Sequence, residues 1–288
     1  MKKMLRTLSA WALTTMFVVG SGTAAFAGPF IISGTDSDDH GSVSGGANQN
    51  GWLFMQKALE NLAPNVTNGN KVVTILGSTG RASTAANSAF NLSSLAGAGG
   101  WTIQTVSTAN FATFFGVGGG LANSGILMMD SGSVNVGGGV DGSVFVPYAT
   151  AINNFVGAGG GLFSQGNGYD WITTLIPGLT VTDIGGGGVS TALSLTPTGN
   201  AAFPGLTNSD LSTGPWHNYF TNTGSLPILA TAPQGTAIRN VILGSSGGGG
   251  TPGCSITNPC PPSVPEPSTI LLLGSGLVAL GVFRRKSA

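Results

Sequence analysis

The feature that most constrains the fold is a repeated alternation of short apolar segments with amphipathic segments. Residues 126–129 read Ile-Leu-Met-Met without interruption, a pattern typical of a strand buried on both faces. Residues 50–62 place Trp52, Met55 and Leu59 at helical spacing, which predicts an amphipathic helix. Strands that alternate with helices predict an α/β domain with a mostly parallel sheet.

The same alternation continues along residues 28–244, which we interpret as one exported domain. Further strands are predicted at 30–32, 71–76, 101–106, 162–165, 179–183, 226–230 and 239–243. Further helices are predicted at 83–95, 109–115, 144–156 and 171–176. The stretch 203–220 is interpreted as loop-rich. About 220 residues are enough for a single hydrophobic core.

The first 27 residues have the pattern of a secretory signal peptide. Lys2, Lys3 and Arg6 precede a mostly apolar segment, and Ala25 and Ala27 form an A-x-A site before Gly28. Small residues at these two positions are what signal peptidase recognises. We therefore expect the mature chain to begin near Gly28, outside the cytoplasm.

Residues 245–263 form a Gly/Pro-rich stalk that follows the domain. It contains Cys254 and Cys260, the two cysteines of the chain. In an oxidising compartment two nearby cysteines favour a disulfide, and free thiols are the alternative.

Residues 264–288 place three features in a fixed order. Pro265, Glu266 and Pro267 stand between Val264 and Ser268, and an apolar run follows at 270–283. Its 14 residues are at the lower limit for a transmembrane helix. The basic end, which the positive-inside rule places in the cytoplasm, is Arg284, Arg285 and Lys286. A plain tail anchor is the alternative to a processing signal.

This segment closely resembles the PEP-CTERM sorting signal of Gram-negative bacteria. The resemblance implies processing by an exosortase, a membrane enzyme thought to cut near Pro265–Pro267. It also implies a transient membrane anchor, a final place in the cell envelope, at the surface or outside the cell, and an association with exopolysaccharide and biofilm.

The charge balance argues against nucleic-acid binding. Between residues 28 and 264 the chain has nine acidic residues and four basic ones, Lys57, Lys71, Arg81 and Arg239, for a net charge of −5. Such a domain has no basic surface for a phosphate backbone.

The middle of the domain resembles the class I glutamine amidotransferase-like fold, a flavodoxin-like three-layer sandwich. Residues 151–163 are similar to its helix, glycine turn and buried strand, and residues 203–206 with 216–220 are similar to ThuA-like members. The family's active members carry a cysteine after that strand. Here the turn is Ser164-Gln165-Gly166 and the domain has no cysteine, so amidotransferase activity is not expected.

The densest polar cluster is the loop Asp36, Asp38, Asp39 and His40, which follows the first predicted strand. Carboxylates at this spacing can bind Ca²⁺, although the loop does not match the EF-hand pattern. The alternative is a solvated loop whose aspartates cap turns. We therefore expect no firm cofactor, with Ca²⁺ as the candidate ion.

His217 has two interpretations. Trp216 and Tyr219 flank it, so it could contribute to a sugar site, or it could be a hydrogen-bonded histidine at the edge of the core. His40 and His217 are the two histidines of the chain, and a nucleophilic Ser164 would need one of them as its base.

Two classes of function remain open. The first is a non-catalytic binding or structural protein linked to exopolysaccharide. The second is an extracellular hydrolase of glycans. Convergence of five residues in one cleft would favour the enzyme, and scattering would argue against it; they are Asp36, Asp38, His40, Gln165 and His217.

Overall fold

The protein, described by a computed structural model over residues 28–132 and 137–244, has within these ranges a ten-stranded sheet and a separate two-stranded sheet formed by its second and third strands. The strands are β1 (Phe30–Ser33), β2 (Gly41–Ser44), β3 (Ala47–Asn50), β4 (Val72–Leu76), β5 (Thr102–Val106), β6 (Ile126–Met129), β7 (Gly161–Gln165), β8 (Thr180–Asp183), β9 (Ser194–Leu195), β10 (Asn218–Thr221), β11 (Ile228–Gln234) and β12 (Ala237–Gly244). The α-helices are α1 (Gly51–Leu62), α2 (Gly80–Asn91), α3 (Phe111–Phe115), α4 (Ala149–Gly157), α5 (Ile172–Leu175), α6 (Pro197–Ala202) and α7 (Asn208–Leu211).

The sheet has a parallel half and an antiparallel half. Its main strand order is β5-β4-β6-β7-β1-β12-β10-β8. The first five strands of this order are parallel to their neighbours, whereas β12, β10 and β8 pair antiparallel. β11 pairs with β12 and with β9. The predicted parallel arrangement of the strands near Val72, Ile103, Leu127 and Phe163 is confirmed.

Alternate residues of the parallel strands enter two cores on opposite faces of the sheet. In β6, Ile126 and Met128 pack with α1 and α2 on one face, and Leu127 and Met129 pack with α4 and α5 on the other. All four side chains have no exposed area. Because both faces of the strand are buried, all four of its residues are apolar. Helices on both faces make a three-layer α/β domain, as predicted.

β1 lies in the interior of the sheet although it is the first strand of the described chain. It pairs in parallel with β7 and antiparallel with β12. Ile31, for example, lies opposite Phe163 on one side and Gly244 on the other. The first and last strands of the described domain, β1 and β12, are therefore neighbours in the middle of the sheet.

The loop-rich interpretation of 203–220 is wrong at 208–211, which form α7, and at 218–220, which belong to β10. Asn218–Thr221 forms β10, in which Asn218 and Phe220 are buried. This strand pairs along its whole length with β8, a contact between residues more than thirty positions apart. Tertiary pairing, which no local pattern encodes, creates the strand.

Two predicted helix boundaries are also corrected. The segment 144–156 begins as a 3₁₀ helix over Gly142–Tyr148 and becomes α4 only at Ala149. Pro147 lies within the 3₁₀ part, and it has no N–H to donate to an α-helical turn. The helix predicted at 83–95 begins at Gly80 and ends at Asn91.

Several features predicted from the sequence lie outside the described residues. They are the signal-peptidase site at Ala25 and Ala27, the Cys254–Cys260 pair, the motif Val264–Ser268, the apolar run 270–283 and the basic residues Arg284, Arg285 and Lys286. Within 28–132 and 137–244 we find no helix that is long and apolar enough to cross a membrane.

Candidate functional site

The polar residues that follow the parallel strands gather at one edge of the sheet. Asp36 and Asp38 follow β1, Ser78 follows β4, Asp130 follows β6 and Gln165 ends β7. Each of these residues is at most 4% exposed. The carboxyl ends of parallel strands are where α/β folds place ligand sites, so this edge is the candidate functional site.

Asp36 is held by both histidines of the chain. Its Oδ2 lies 3.1 Å from Nε2 of His217 and 3.2 Å from Nε2 of His40. Burial alone would raise the pKa of Asp36, but the hydrogen bonds from His217 and His40 outweigh burial and lower it. The carboxylate is therefore ionised throughout the neutral range.

His217 carries a positive charge in this arrangement. Its Nδ1 lies 3.0 Å from the carbonyl oxygen of Gly185, while Nε2 faces Asp36. Both neighbours are acceptors, so both ring nitrogens must donate. Burial lowers the pKa of His217, but the hydrogen bonds to Asp36 and Gly185 outweigh burial and raise it.

The backbone of β10 places His217 beside Asp36. The His217 N–H donates to the carbonyl oxygen of Gly34 at 2.7 Å, and the neighbouring Trp216 forms an isolated bridge with Thr35. The Cβ of any larger residue at position 34 would collide with the backbone of Asn218. A glycine after β1 therefore permits the close approach of the two segments.

A second pair of carboxylates, Asp38 and Asp130, occupies the interior of the same edge. Ser131 Oγ donates to Asp38 Oδ1, and Ser78 Oγ donates to Asp130 Oδ2 at 2.6 Å. Gln165 Nε2 donates to Asp130 Oδ1 at 3.2 Å. Burial raises the pKa of Asp130 to about 6, and burial together with repulsion from Asp130 raises that of Asp38 well above its usual value.

This edge also concentrates unsatisfied polar atoms. Within the described residues, six buried side-chain atoms have no hydrogen-bond partner. Five of them lie here, and they are Asp36 Oδ1, Asp38 Oδ2, Gln165 Oε1 and both amide atoms of Asn218. Each such atom costs about 1–3 kcal/mol of folding free energy, so their concentration at one edge points to a functional or ligand-related role.

Asp39 and His40 lie at the outer margin of the site. Arg81 Nε is 3.3 Å from Asp39 Oδ1, and the guanidinium lies over the Trp52 ring at 5.6 Å from its centroid. The hydrogen bond to Asp36 raises the pKa of His40 and burial lowers it. The hydrogen bond is the larger effect, so the pKa is raised. The Asp36–His40 loop is therefore fixed by ion pairs, not solvated as the alternative interpretation supposed.

The five residues whose convergence was in question do meet at this edge. Asp36 contacts His40 and His217. Ser131, which donates to Asp38, directly follows Asp130, the carboxylate that accepts from Gln165. The space beside Asp36 and His40 is nevertheless too narrow for a water molecule. The site is a closed polar cluster in this conformation.

Ser164 is not paired with a histidine in the described residues. Its Oγ accepts a hydrogen bond from Asn167 Nδ2 at 2.7 Å, and both nitrogens of His217 are engaged elsewhere. Trp216 is fully buried and His217 is 1% exposed, so neither side chain presents a surface to a sugar in this conformation.

Sequence reasoning missed Asp130 and Ser78, although a signal for both was present. Asp130 directly follows the strand predicted at 126–129, and Ser78 lies two residues after the strand predicted at 71–76. Polar residues at the carboxyl ends of successive parallel strands meet at one edge, and applying this rule to each strand would have found them.

An open cleft lies at the opposite, amino edge of the sheet. Its volume is about 360 Å³, and Glu60, Asn70, Lys71, Ser94 and Trp101 are among its lining residues. Lys71 and Trp101 immediately precede β4 and β5. Sequence analysis did not identify this cleft, because none of its residues forms a motif.

Within the described residues no three or more His, Cys, Asp or Glu side chains are arranged as metal ligands. A calcium ion bound by the loop of Asp36, Asp38 and His40 therefore stays a prediction. Asp36 Oδ2 already faces two ring nitrogens, which compete with a cation for the same oxygen.

Comparison with known families gives one match, a model described as the PEP-CTERM protein-sorting motif, over residues 263–286. The chain therefore carries the signal of an exported protein that is sorted to the cell envelope or surface and processed by an exosortase, a membrane enzyme. Neither the curated proteins nor the solved structures that were searched give a significant match. The amidotransferase-like comparison accordingly has no support from a relative.

Proposed function

We propose that the exported domain is a non-catalytic binding protein that holds exopolysaccharide at the cell envelope or in the surrounding matrix. The observation that carries this proposal is the amino-edge cleft, which combines an aromatic side chain with polar and charged groups. The sorting motif supports a location where such a polymer would be encountered.

The composition of the cleft suits a sugar. The four tryptophans that the structure describes differ in accessibility. Trp52, Trp171 and Trp216 are at most 7% exposed, whereas Trp101 is only partly buried. An accessible aromatic face packs against the C–H groups of a sugar ring, and the amide of Asn70 and the hydroxyl of Ser94 can bond sugar hydroxyls.

The charges of the cleft favour an acidic sugar. Glu60 is neutralised by Lys57, whose Nζ lies 2.8 Å from Oε2. Glu60 Oε1 also accepts from Gln56 and from the Ser94 N–H, each at 3.0 Å. Lys71 is exposed at the cleft. The remaining positive charge would attract a uronate or another anionic saccharide, in a domain whose net charge is otherwise negative.

Tryptophan fluorescence tests this proposal. Acrylamide should quench Trp101 in the free protein, and an acidic exopolysaccharide from a Gram-negative producer should protect it. Trp101→Phe should remove the protected component. Lys71→Gln should weaken binding at least fivefold, while Arg239→Gln, which removes a positive charge from β12, should not. Binding that is indifferent to both Trp101 and Lys71 would refute the cleft as the site.

A glycan hydrolase is the second candidate, and the convergence at the carboxyl edge favours it. Asp38 and Asp130 form a buried carboxyl pair beside Asp36 and His217, and burial raises the pKa of both carboxyls, as a general acid at neutral pH requires. Incubation of the purified chain with acidic and neutral glycans, followed by a reducing-end assay, tests this candidate. Turnover that Asp130→Asn abolishes would favour the hydrolase over the binding protein.

A further inference from the structure

The interior of the carboxyl edge has an unbalanced charge. Asp38 and Asp130 are 0% and 1% exposed, and Ser131, whose hydroxyl donates to Asp38 Oδ1, directly follows Asp130 in the chain. The basic side chains of the described residues lie elsewhere, with Lys71 in the amino-edge cleft and Arg239 over the Tyr219 ring. Arg81 pairs with Asp39, Lys57 pairs with Glu60, and both histidines pair with Asp36. Buried carboxylates are normally neutralised by a paired cation, a proton or a metal.

Oxygen atoms without partners surround this pair. Asp38 Oδ2 has no hydrogen-bond partner, and neither has Oε1 of Gln165, a residue with no exposed area. The other end of the Gln165 amide contacts Asp130 Oδ1. The two ends of an amide are nearly indistinguishable in shape, so a half-turn of this group would place Oε1 beside Asp130. Ser78 and Ser131 add hydroxyl oxygens.

We propose that Asp38, Asp130 and Gln165 bind a calcium ion at the carboxyl edge of the sheet, with the hydroxyls of Ser78 and Ser131 beside it. The donors are all oxygen, as a hard cation requires. Ca²⁺ fits better than Mg²⁺ because Mg²⁺ keeps several of its waters, and the five residues of this site are at most 4% exposed.

This site differs from the calcium site that the loop sequence suggested. Asp36 and His40 are not ligands, because they bind one another and His217. Asp38 belongs to both calcium sites, but the second carboxylate of this site, Asp130, directly follows β6 and is not part of the loop. The ion would therefore join the end of β1 to the ends of β6 and β7.

Thermal unfolding of the purified chain tests the proposal. After treatment with EGTA, addition of Ca²⁺ to a hundredfold excess over its Kd should raise the Tm by about 5–10 °C. Isothermal titration with CaCl₂ should give one site per chain. Asp130→Asn should lose both responses. Asp170→Asn, which removes an exposed carboxylate from a turn, should keep them.

Gln165→Glu distinguishes neutralisation of the carboxylate pair by a metal ion from neutralisation by a shared proton. It can also replace Asp130→Asn as the test if that variant does not fold. A third carboxylate should tighten calcium binding at least tenfold and enlarge the Tm response. If a proton neutralises the pair, the wild-type Tm will not respond to Ca²⁺ or EGTA. Gln165→Glu will then lower the Tm at pH 7 equally with and without Ca²⁺, and this result would overturn the proposal.

Discussion

Nε2 of His217 lies 3.1 Å from Oδ2 of Asp36, although 181 positions separate the two residues in sequence. One belongs to the turn after the first strand and the other directly precedes β10. Because Nδ1 of the same ring faces the Gly185 carbonyl oxygen, the pair is a buried imidazolium and carboxylate. It links the parallel half of the sheet to the antiparallel half.

The first prediction concerns pH. The pKa of His217 is raised above its ordinary 6.5, and that of Asp36 is lowered below 3.8. The contribution of His217 to stability is complete below pH 6.5 and is lost as the pH rises through its raised pKa. The contribution of Asp36 is complete above pH 3.8 and is lost as the pH falls through its lowered pKa. His40, which shares Asp36, acts in the same direction as His217.

For this pair, stability should therefore be greatest between about pH 4 and 6.5 and should decline above that range. Circular dichroism melts from pH 5 to 9, recorded in EGTA, measure the effect. His217→Gln should cost about 3 kcal/mol at pH 6 because it leaves Asp36 with His40 alone. The variant should also show a flatter decline between pH 6.5 and 9. An identical pH profile in wild type and variant would contradict the charged assignment of His217.

The second prediction concerns the close approach at Gly34. Gly34→Ala would place a methyl group against the backbone of Asn218, and relief requires β10 to move away from β1. We expect a loss of about 3 kcal/mol or more in the free energy of unfolding, measured by urea denaturation. Gly157→Ala is the matched control. Its Cβ would meet no atom within 4 Å at the end of α4, so this change should be neutral or stabilising.

The third prediction concerns Tyr169, which bridges β1 and β7. Its hydroxyl accepts from the Ser33 N–H at 3.0 Å and lies 2.6 Å from the Ser33 carbonyl oxygen and 2.9 Å from that of Ser164. Tyr169→Phe should cost about 1–3 kcal/mol, because a buried N–H loses its acceptor. Tyr148→Phe, at a half-buried ring stacked on Phe115, should change stability by less than about 0.5 kcal/mol.

The fourth prediction concerns the sorting motif. Replacing Pro265, Glu266 and Pro267 by alanine should leave export intact and block removal of the tail, since the exosortase would no longer read its motif. Fractionation with one antibody to the domain and one to a C-terminal tag measures both outcomes. Alanine at Pro261 and Pro262 in the stalk is the control. Equal retention of the tag by mutant and wild type, in a host with a functional exosortase, would favour a plain tail anchor.

Local patterns were sufficient for the parallel half of the domain. The run Ile126–Met129 is a strand with the predicted bounds, and the helix expected at 50–62 is α1 at Gly51–Leu62. Each of these elements has a recognisable hydrophobic pattern, because the side chains that face the core must be apolar. The β2–β3 hairpin was missed although Gly45 and Gly46, both with positive φ, are a recognised turn signal.

The site was less accessible to sequence reasoning. The loop around Asp36 was identified from its density of carboxylates. No sequence pattern, however, indicated that one of the two histidines, His217, is its partner. No rule of spacing joins residues that the sheet brings together through β10, a strand formed by pairing with β8. Asp130 and Ser78 were predictable in principle, since strand order places the carboxyl ends of β4 and β6 side by side.

The interior position of β1 has a consequence for passage across the membrane. A chain that emerges from its N-terminus presents Phe30–Ser33 first, but the strands on either side of β1 end at Gln165 and Gly244. The centre of the sheet cannot close until residue 244 has been translocated. Such long-range pairing folds slowly. The pairing that completes the centre of the sheet can therefore form only after the whole domain has crossed the membrane.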